Sequence, residues 1–141
     1  MIEEKAVFNP PDGAHLVLAS SSPRRRELFK QIGIKDFSIQ AADIDERALA
    51  RELPPDYALR IAKKKAEKVS KQNENSFVLA ADTVVACGRR IMPKAETEAE
   101  ANSCLNLLSG RRHKVLGAIV IYSPNGTQIY RVVKSVVTFK K

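Results

Sequence analysis

A short apolar run, Leu16-Val17-Leu18-Ala19, gives way at once to Ser20-Ser21-Ser22-Pro23-Arg24-Arg25-Arg26-Glu27-Leu28. The apolar run reads as a strand. The hydroxyls and proline after it read as a helix start, with Ser22 as N-cap and Pro23 as the first helical residue. A strand that passes directly into a helix points to an α/β sheet, and the rest of the chain continues the pattern. A helix start offers unpaired N–H groups and partial positive charge, which favours an anion. The same dipole repels cations, so three arginines in the first turn imply something strongly negative to hold. Guanidinium forks suit the oxygens of a polyphosphate. The plainer alternative is a solvated basic helix start.

The pattern along the chain sets the remaining elements. Residues 1–14, with Pro10, Pro11 and Gly13, read as an irregular arm, and 15–19 as the first strand. The helix from Pro23 closes near Ile32 at Gly33, which suits a left-handed cap. Residues 37–41 read as a second strand, followed by the acidic loop Asp43-Ile44-Asp45-Glu46-Arg47. Pro54-Pro55-Asp56 opens a helix over 55–71 whose buried stripe is Leu59, Ala62, Ala66 and Val69. Lys64 and Lys68 point away from that stripe, whereas Lys63 and Lys65 flank it on opposite sides. Phe77 to Ala81 reads as a strand buried on both faces that ends at Asp82-Thr83. A small ribbon over 84–92 turns at Gly88, and the capping box Thr97-Glu98-Ala99-Glu100 starts a helix to Leu108. Two strands, 113–122 and 127–139, are joined at Pro124-Asn125-Gly126. The order βαβαββαββ predicts a mixed, twisted β-sheet flanked by helices.

Length and composition narrow the class. The chain has 141 residues, 44% hydrophobic and 28% charged, which fits one folded domain over residues 1–141. No apolar run approaches the length of a membrane span, and the N-terminus lacks the apolar core of a signal peptide, so a cytoplasmic location is expected. Cys87 and Cys104 form neither a metal-ligand spacing nor a disulfide framework and read as small packing residues. The formal net charge of +8 favours an anionic partner. Nucleic acid is disfavoured among such partners, because the chain has only five phenylalanines, three tyrosines and no tryptophan, and no stacking motif.

The chemistry-bearing residues fall where open α/β sheets bind ligands, beyond the carboxyl ends of strands. They are Ser20 to Ser22 with Arg24 and Arg25, then Asp43, Asp45 and Glu46, then Asp82 and Thr83, with Lys65 and Lys94 able to join them. Cations to grip phosphates stand beside carboxylates that suit Mg²⁺, which takes one or two carboxylates plus phosphate oxygens. Phosphoryl transfer rests mainly on positioning and charge stabilisation, and a carboxylate can also deprotonate the attacking water. Plainer readings stand beside these. Asp82 caps a turn, Glu46 is a loop acid, Lys65 is one solvated lysine of a run, and His113 is structural. No Walker loop, dinucleotide fingerprint or nucleophilic-serine motif is present.

Six motifs in this order carry a resemblance. They are Ser20-x-Ser22-Pro23-Arg24-Arg25-x-Glu27-Leu28, Asp43-Ile44-Asp45-Glu46, Ala62-x-x-Lys65-Ala66, Ala81-Asp82-Thr83-Val84-Val85, Met92-Pro93-Lys94-Ala95-Glu96, and Leu107-Leu108-Ser109-Gly110-Arg111-x-His113-x-Val115. From Leu16 to about Phe139 the chain resembles the Maf family of nucleoside triphosphate pyrophosphatases. The resemblance implies a Maf/inosine-triphosphatase-like fold and hydrolysis of a nucleoside triphosphate, dTTP or UTP, to monophosphate and pyrophosphate. It implies a divalent cation, Mg²⁺ or Mn²⁺, no membrane, and a homodimer as one assembly. Carried onto this chain, it implies Ser20, Arg24, Arg25, Lys65 and Lys94 as phosphate-binding residues. It implies Glu46 and Asp82 as metal-holding residues, with Asp82 the general base, and leaves Arg26, Lys63 and Lys64 as solvated charges. Proline precedes Lys94 where many members read Gly-Lys-Pro. Full-length members also continue into a glycine-rich C-terminal part, so the resemblance implies an incomplete domain here, whose last strand is an exposed edge. A non-catalytic nucleotide or polyanion binder is the alternative function.

Overall fold

The computed structural model of the chain describes residues 14–34, 36–92, 102 and 112–138. The elements within them are β1 (His15–Leu18), α1 (Pro23–Gln31), β2 (Ser38–Ile39), α2 (Pro54–Gln72), β3 (Ser76–Cys87), β4 (Arg90–Ile91), β5 (Arg112–Tyr122) and β6 (Gln128–Thr138). The helix expected over 97–108 lies outside the described residues except at residue 102, and Lys94 and Cys104 also lie outside them.

The sheet runs in the order β2-β1-β3-β5-β6, with β4 paired to the end of β3. β1 is parallel to both β2 and β3, with Val17 opposite Ser38 and Val78. β3, β5 and β6 are antiparallel neighbours, and β3 also pairs antiparallel with β4. The mixed α/β sheet expected from the sequence is therefore present. β3 carries the change from parallel to antiparallel neighbours within one strand.

That strand departs from the sequence reading. The apolar run does not end at Ala81. It continues as one strand through Asp82 and Thr83 to Cys87, and its burial alternates instead of being complete on both faces. Ser76, Val78, Ala80, Asp82, Val84 and Ala86 form the buried row. Val78, Ala80 and Val84 pack with Ala58, Ala62, Ala66 and Val69 of α2 and with Ala118, Val120 and Tyr122 of β5. Small residues on both partners bring α2 close to the sheet. The other row faces the opposite way, because successive strand residues alternate. There Phe77 and Leu79 pack with Leu16 and Leu18 of β1 and Phe29 of α1, and Phe29 meets the Phe37 ring edge-on at 5.2 Å.

The helices largely follow their sequence signals. α2 starts at a proline pair, carries Asp56 in its first turn, and ends at Gln72. Its buried face is centred on Ala58, Ile61, Ala62, Lys65, Ala66 and Val69, and Leu59 packs only at its edge. α1 begins at Pro23 with Ser22 in the N-cap conformation, but the Ser22 hydroxyl makes no cap hydrogen bond. The Ser20 hydroxyl instead accepts the Ser22 N–H at 3.1 Å. Gly33 closes the helix at φ +92°, which costs a glycine nothing sterically. The second strand is only Ser38–Ile39, shorter than expected. The β5–β6 turn lies at the expected residues, and the Ser123 N–H donates to the Thr127 carbonyl at 2.9 Å.

β6 ends the sheet among the described residues. Ile129, Tyr130, Val132, Val133 and Val136 on it are exposed. Lys63 is not simply solvated, because its ammonium lies 4.2 Å from the centre of the Tyr130 ring, within cation–π range. No helix among the described residues is long and apolar enough to cross a membrane.

The packing of β1 predicts where stability resides. Leu18 is fully buried between β3 and α1. Leu18→Ala is expected to cost about 2–5 kcal/mol in urea unfolding, as for a large-to-small core change. Leu49→Ala, at an exposed loop site, should stay within about 0.5 kcal/mol of wild type. Similar losses at both positions would contradict the assigned core.

Candidate active site

The site forms where β1 stops and β3 continues. β1 leaves the sheet at Ala19, whose N–H donates to the Leu79 carbonyl at 2.9 Å. Asp82 lies three residues further along β3, about 10 Å beyond that point at strand rise. A cavity of about 300 Å³ opens there. It is lined by Ala19, Ser20, Ser21, Ser22, Arg25, Ala42, Glu46, Lys65, Asp82 and Thr83. The lining thus comes from the β1–α1 junction, the loop after β2, the middle of α2 and the middle of β3.

Two polar groupings line this cavity. In the first, the Arg25 guanidinium donates to the Ser20 hydroxyl at 3.4 Å and to the Thr83 hydroxyl at 3.5 Å. Arg25 is half-buried, so its fork is held at the helix start with donors to spare for an anion. In the second, the Lys65 ammonium sits 3.1 Å from Glu46 Oε1 and 3.5 Å from Asp82 Oδ1. Lys65 is 9% exposed and Asp82 3%, so both charges are buried and need partners. Asp82 lies on the α2 side of β3 because of strand alternation, and Lys65 lies on the buried face of α2.

Of the residues named from sequence, Ser20, Arg25, Glu46, Lys65, Asp82 and Thr83 come together. Arg24 does not join them. It stands exposed in the same first turn and does not line the cavity, since consecutive helical residues point about 100° apart. Asp43 and Asp45 also stay outside the lining. Asp45 is forked by Arg47 at 2.8–3.1 Å, which holds its carboxyl down at about 2. The Asp43 carbonyl accepts from Lys68.

Three residues that the sequence did not single out brace the site. Arg60 forks Glu52 at 2.6 and 2.9 Å and donates to the Arg47 carbonyl at 2.9 Å. It also lies 5.6 Å from the centre of the Tyr57 ring. The Tyr57 hydroxyl donates to the Glu46 carbonyl. Burial, followed by the negative charges of Asp82 and Glu46, pushes the Tyr57 phenol up. The i,i+3 spacing of Tyr57 and Arg60 was the only local signal for this group.

Glu46 and Asp82 are the side chains of this site that could hold a divalent cation. Two carboxylates from different elements already converge on one ammonium, so they can satisfy positive charge placed between them. Among the described residues no three His, Cys, Asp or Glu side chains form a metal-binding group. Two carboxylates suit Mg²⁺ when phosphate oxygens and water complete the shell.

A mixed sheet whose cavity is lined by a serine- and arginine-bearing helix start and by a pair of acids defines the class as an α/β protein of the Maf/inosine-triphosphatase-like fold. The model of the Maf-like protein family matches residues 15–141, and the chain belongs to that family. It is 54% identical over 128 residues to a dTTP/UTP pyrophosphatase of Paramagnetospirillum magneticum, covering 91% of this chain and 67% of that protein. It is 52% identical over 129 residues to a dTTP/UTP pyrophosphatase of Caulobacter vibrioides, covering 92% and 67%. A nucleoside triphosphate pyrophosphatase of Ehrlichia canis is 51% identical over 126 residues, covering 89% and 66%. The chain thus spans about two thirds of the length of these relatives. Among solved structures, the Staphylococcus aureus Ham1 protein aligns with a TM-score of 0.59 at 21% identity, covering 87% of this chain and 69% of that one. At that identity the likeness concerns the fold.

The Arg60–Glu52 pair gives the site a pH signature. The Glu52 side chain is 7% exposed. The Arg60 hydrogen bonds hold its carboxyl below the ordinary value of 4.5. A depressed folded value means that the unfolded chain binds the proton more tightly. The stabilisation is therefore present above the unfolded value and lost as pH falls through the folded one. Glu52→Gln is expected to lower unfolding stability at about pH 7 by roughly 1.5–3 kcal/mol, the range for hydrogen bonds to charged groups. The difference from wild type should shrink as pH drops from about 5 to about 3 in urea titrations. A constant difference across that range would show that the carboxylate charge contributes nothing.

Proposed function

We propose that the chain hydrolyses a nucleoside triphosphate, dTTP or UTP by the names of its relatives, to the monophosphate and pyrophosphate. The observation that carries this reading is the convergence of Ser20, Arg25 and Thr83 with Lys65, Glu46 and Asp82 around one cavity. A cytoplasmic setting, where such nucleotides are held, belongs to the same reading.

The residues divide the work. The α1 start and Arg25 hold phosphate oxygens through N–H donors and a guanidinium fork. Lys65 adds a positive charge that the departing pyrophosphate shares, and the motif around Lys94 assigns that residue the same role. Glu46 and Asp82 are the groups to hold Mg²⁺ or Mn²⁺ together with phosphate oxygens. When bound, the cation neutralises charge on the phosphates. Asp82 takes a proton from water while the water oxygen bonds to the α-phosphorus. The bond from that phosphorus to the oxygen bridging to the β-phosphorus breaks, and pyrophosphate leaves with the electron pair.

The test is pyrophosphate release from a panel of nucleotides with Mg²⁺ or Mn²⁺. Wild type is expected to release pyrophosphate, with dTTP and UTP preferred. Asp82→Asn should abolish turnover and leave nucleotide affinity within about tenfold, because the phosphate-holding cations remain. Arg25→Ala should weaken nucleotide binding by about 1.5–3 kcal/mol, and Arg24→Ala by less. Binding without turnover in wild type would favour a non-catalytic nucleotide binder instead.

A further inference from the structure

Glu46 sits in a stretch with no helix or strand of its own. Residues 40–49 have no regular backbone structure, and the turn that follows is closed by the Glu52 N–H donating to the Leu49 carbonyl at 3.1 Å. Arg51 in that turn has φ +60°, a conformation that a non-glycine residue keeps only when its surroundings impose it. Secondary structure therefore does not fix where the Glu46 carboxylate points. Side chains of α2 and the loop acid Glu52 do. The Tyr57 hydroxyl holds the Glu46 carbonyl, and Arg60 holds the next carbonyl, that of Arg47, at 2.9 Å. The same guanidinium forks Glu52, whose Oε1 also accepts the Leu49 N–H at 3.0 Å. The loop is thus tied to the same helix that carries Lys65, the direct partner of Glu46.

We infer that Arg60, acting with Tyr57 and Glu52, is a positioning residue that sets the Glu46 carboxylate against Lys65 and Asp82 for cation binding. The inference rests on the proposed pyrophosphatase reading and deepens it. Arg60 does not line the cavity, and it acts through the backbone of the loop. The hydrogen bonds to Glu52 raise the Arg60 guanidinium and lower the Glu52 carboxyl, so the tie keeps its charge at neutral pH. Lysine at position 60 keeps the charge but loses the planar fork that grips a carboxylate and a carbonyl together.

Three variants test it: Tyr57→Phe, Arg60→Lys and Arg60→Met. Five quantities are measured for each. They are kcat and KM for UTP at saturating Mn²⁺, the Mn²⁺ concentration for half-maximal rate, Mn²⁺ binding by calorimetry with a non-hydrolysable α,β-methylene nucleotide, and Tm. Arg60→Met is expected to weaken Mn²⁺ binding and lower kcat by about tenfold or more, the usual effect of losing a group that orients a metal ligand. KM for the nucleotide should move less than about twofold, since uniform phosphate binding is untouched. Tyr57→Phe and Arg60→Lys should show smaller shifts in the same two quantities, with Tm close to wild type. If Arg60→Met does not fold, these two milder variants decide. Wild-type Mn²⁺ affinity and kcat in the folded variants, with only Tm lowered, would overturn the inference and leave Arg60 structural. Wild-type protein that releases no pyrophosphate would overturn the proposed function and this inference with it.

Discussion

A lysine ammonium buried between two carboxylates is the interaction on which the site depends. Lys65 comes from α2, Glu46 from the loop after β2, and Asp82 from β3. Lys65 and Asp82 are buried, which costs several kcal/mol per ion, and their pairing helps to offset that cost. The pairing fixes α2 against β3 in register as well as in distance. It also leaves two carboxylates converging on positive charge at the mouth of a cavity. One arrangement therefore balances the buried charge of the fold and assembles the acidic half of the site.

The cationic half depends on the sheet. β1 ends where β3 continues, and this difference in length creates the space that the helix start of α1 overlooks. Arg25 reaches across to Thr83 on the outer row of β3, and Lys65 meets Asp82 on the inner row. Neighbouring residues of a single strand thus serve both halves. Alternation along β3 separates the two polar groupings onto opposite sides of the strand while keeping them around one cavity.

Much of this was legible in the sequence, for local reasons. The proline pair and apolar spacing of α2 are encoded within a few residues, as is the strand-to-helix junction at Ala19–Pro23. The Asn125-Gly126 turn is equally local. The misjudged points depend on distant partners. The polar pair Asp82-Thr83 looked like the end of a strand. The strand runs through because its backbone stays paired with β5, Asp82 opposite Ala118 and Thr83 opposite Gly117, while their side chains meet Lys65 and Arg25. Choosing between Arg24 and Arg25 required the rotational setting of α1 on the sheet, which depends on Phe29 packing with Leu16 and Leu18. The Arg60 brace joins a helix to a loop eight residues away with no repeating pattern to reveal it.

A double-mutant cycle on Lys65 and Asp82 tests the central interaction most directly. Unfolding free energies are measured in urea for wild type, Lys65→Met, Asp82→Asn and the double variant. Each single change removes one side of a buried charged contact, so each should destabilise the protein, and the double variant should lose less than the sum. The predicted coupling is between about 0.5 and 3 kcal/mol, the range for contacting residues. Losses that add within about 0.3 kcal/mol would contradict the account, because the two side chains would then be independent of each other.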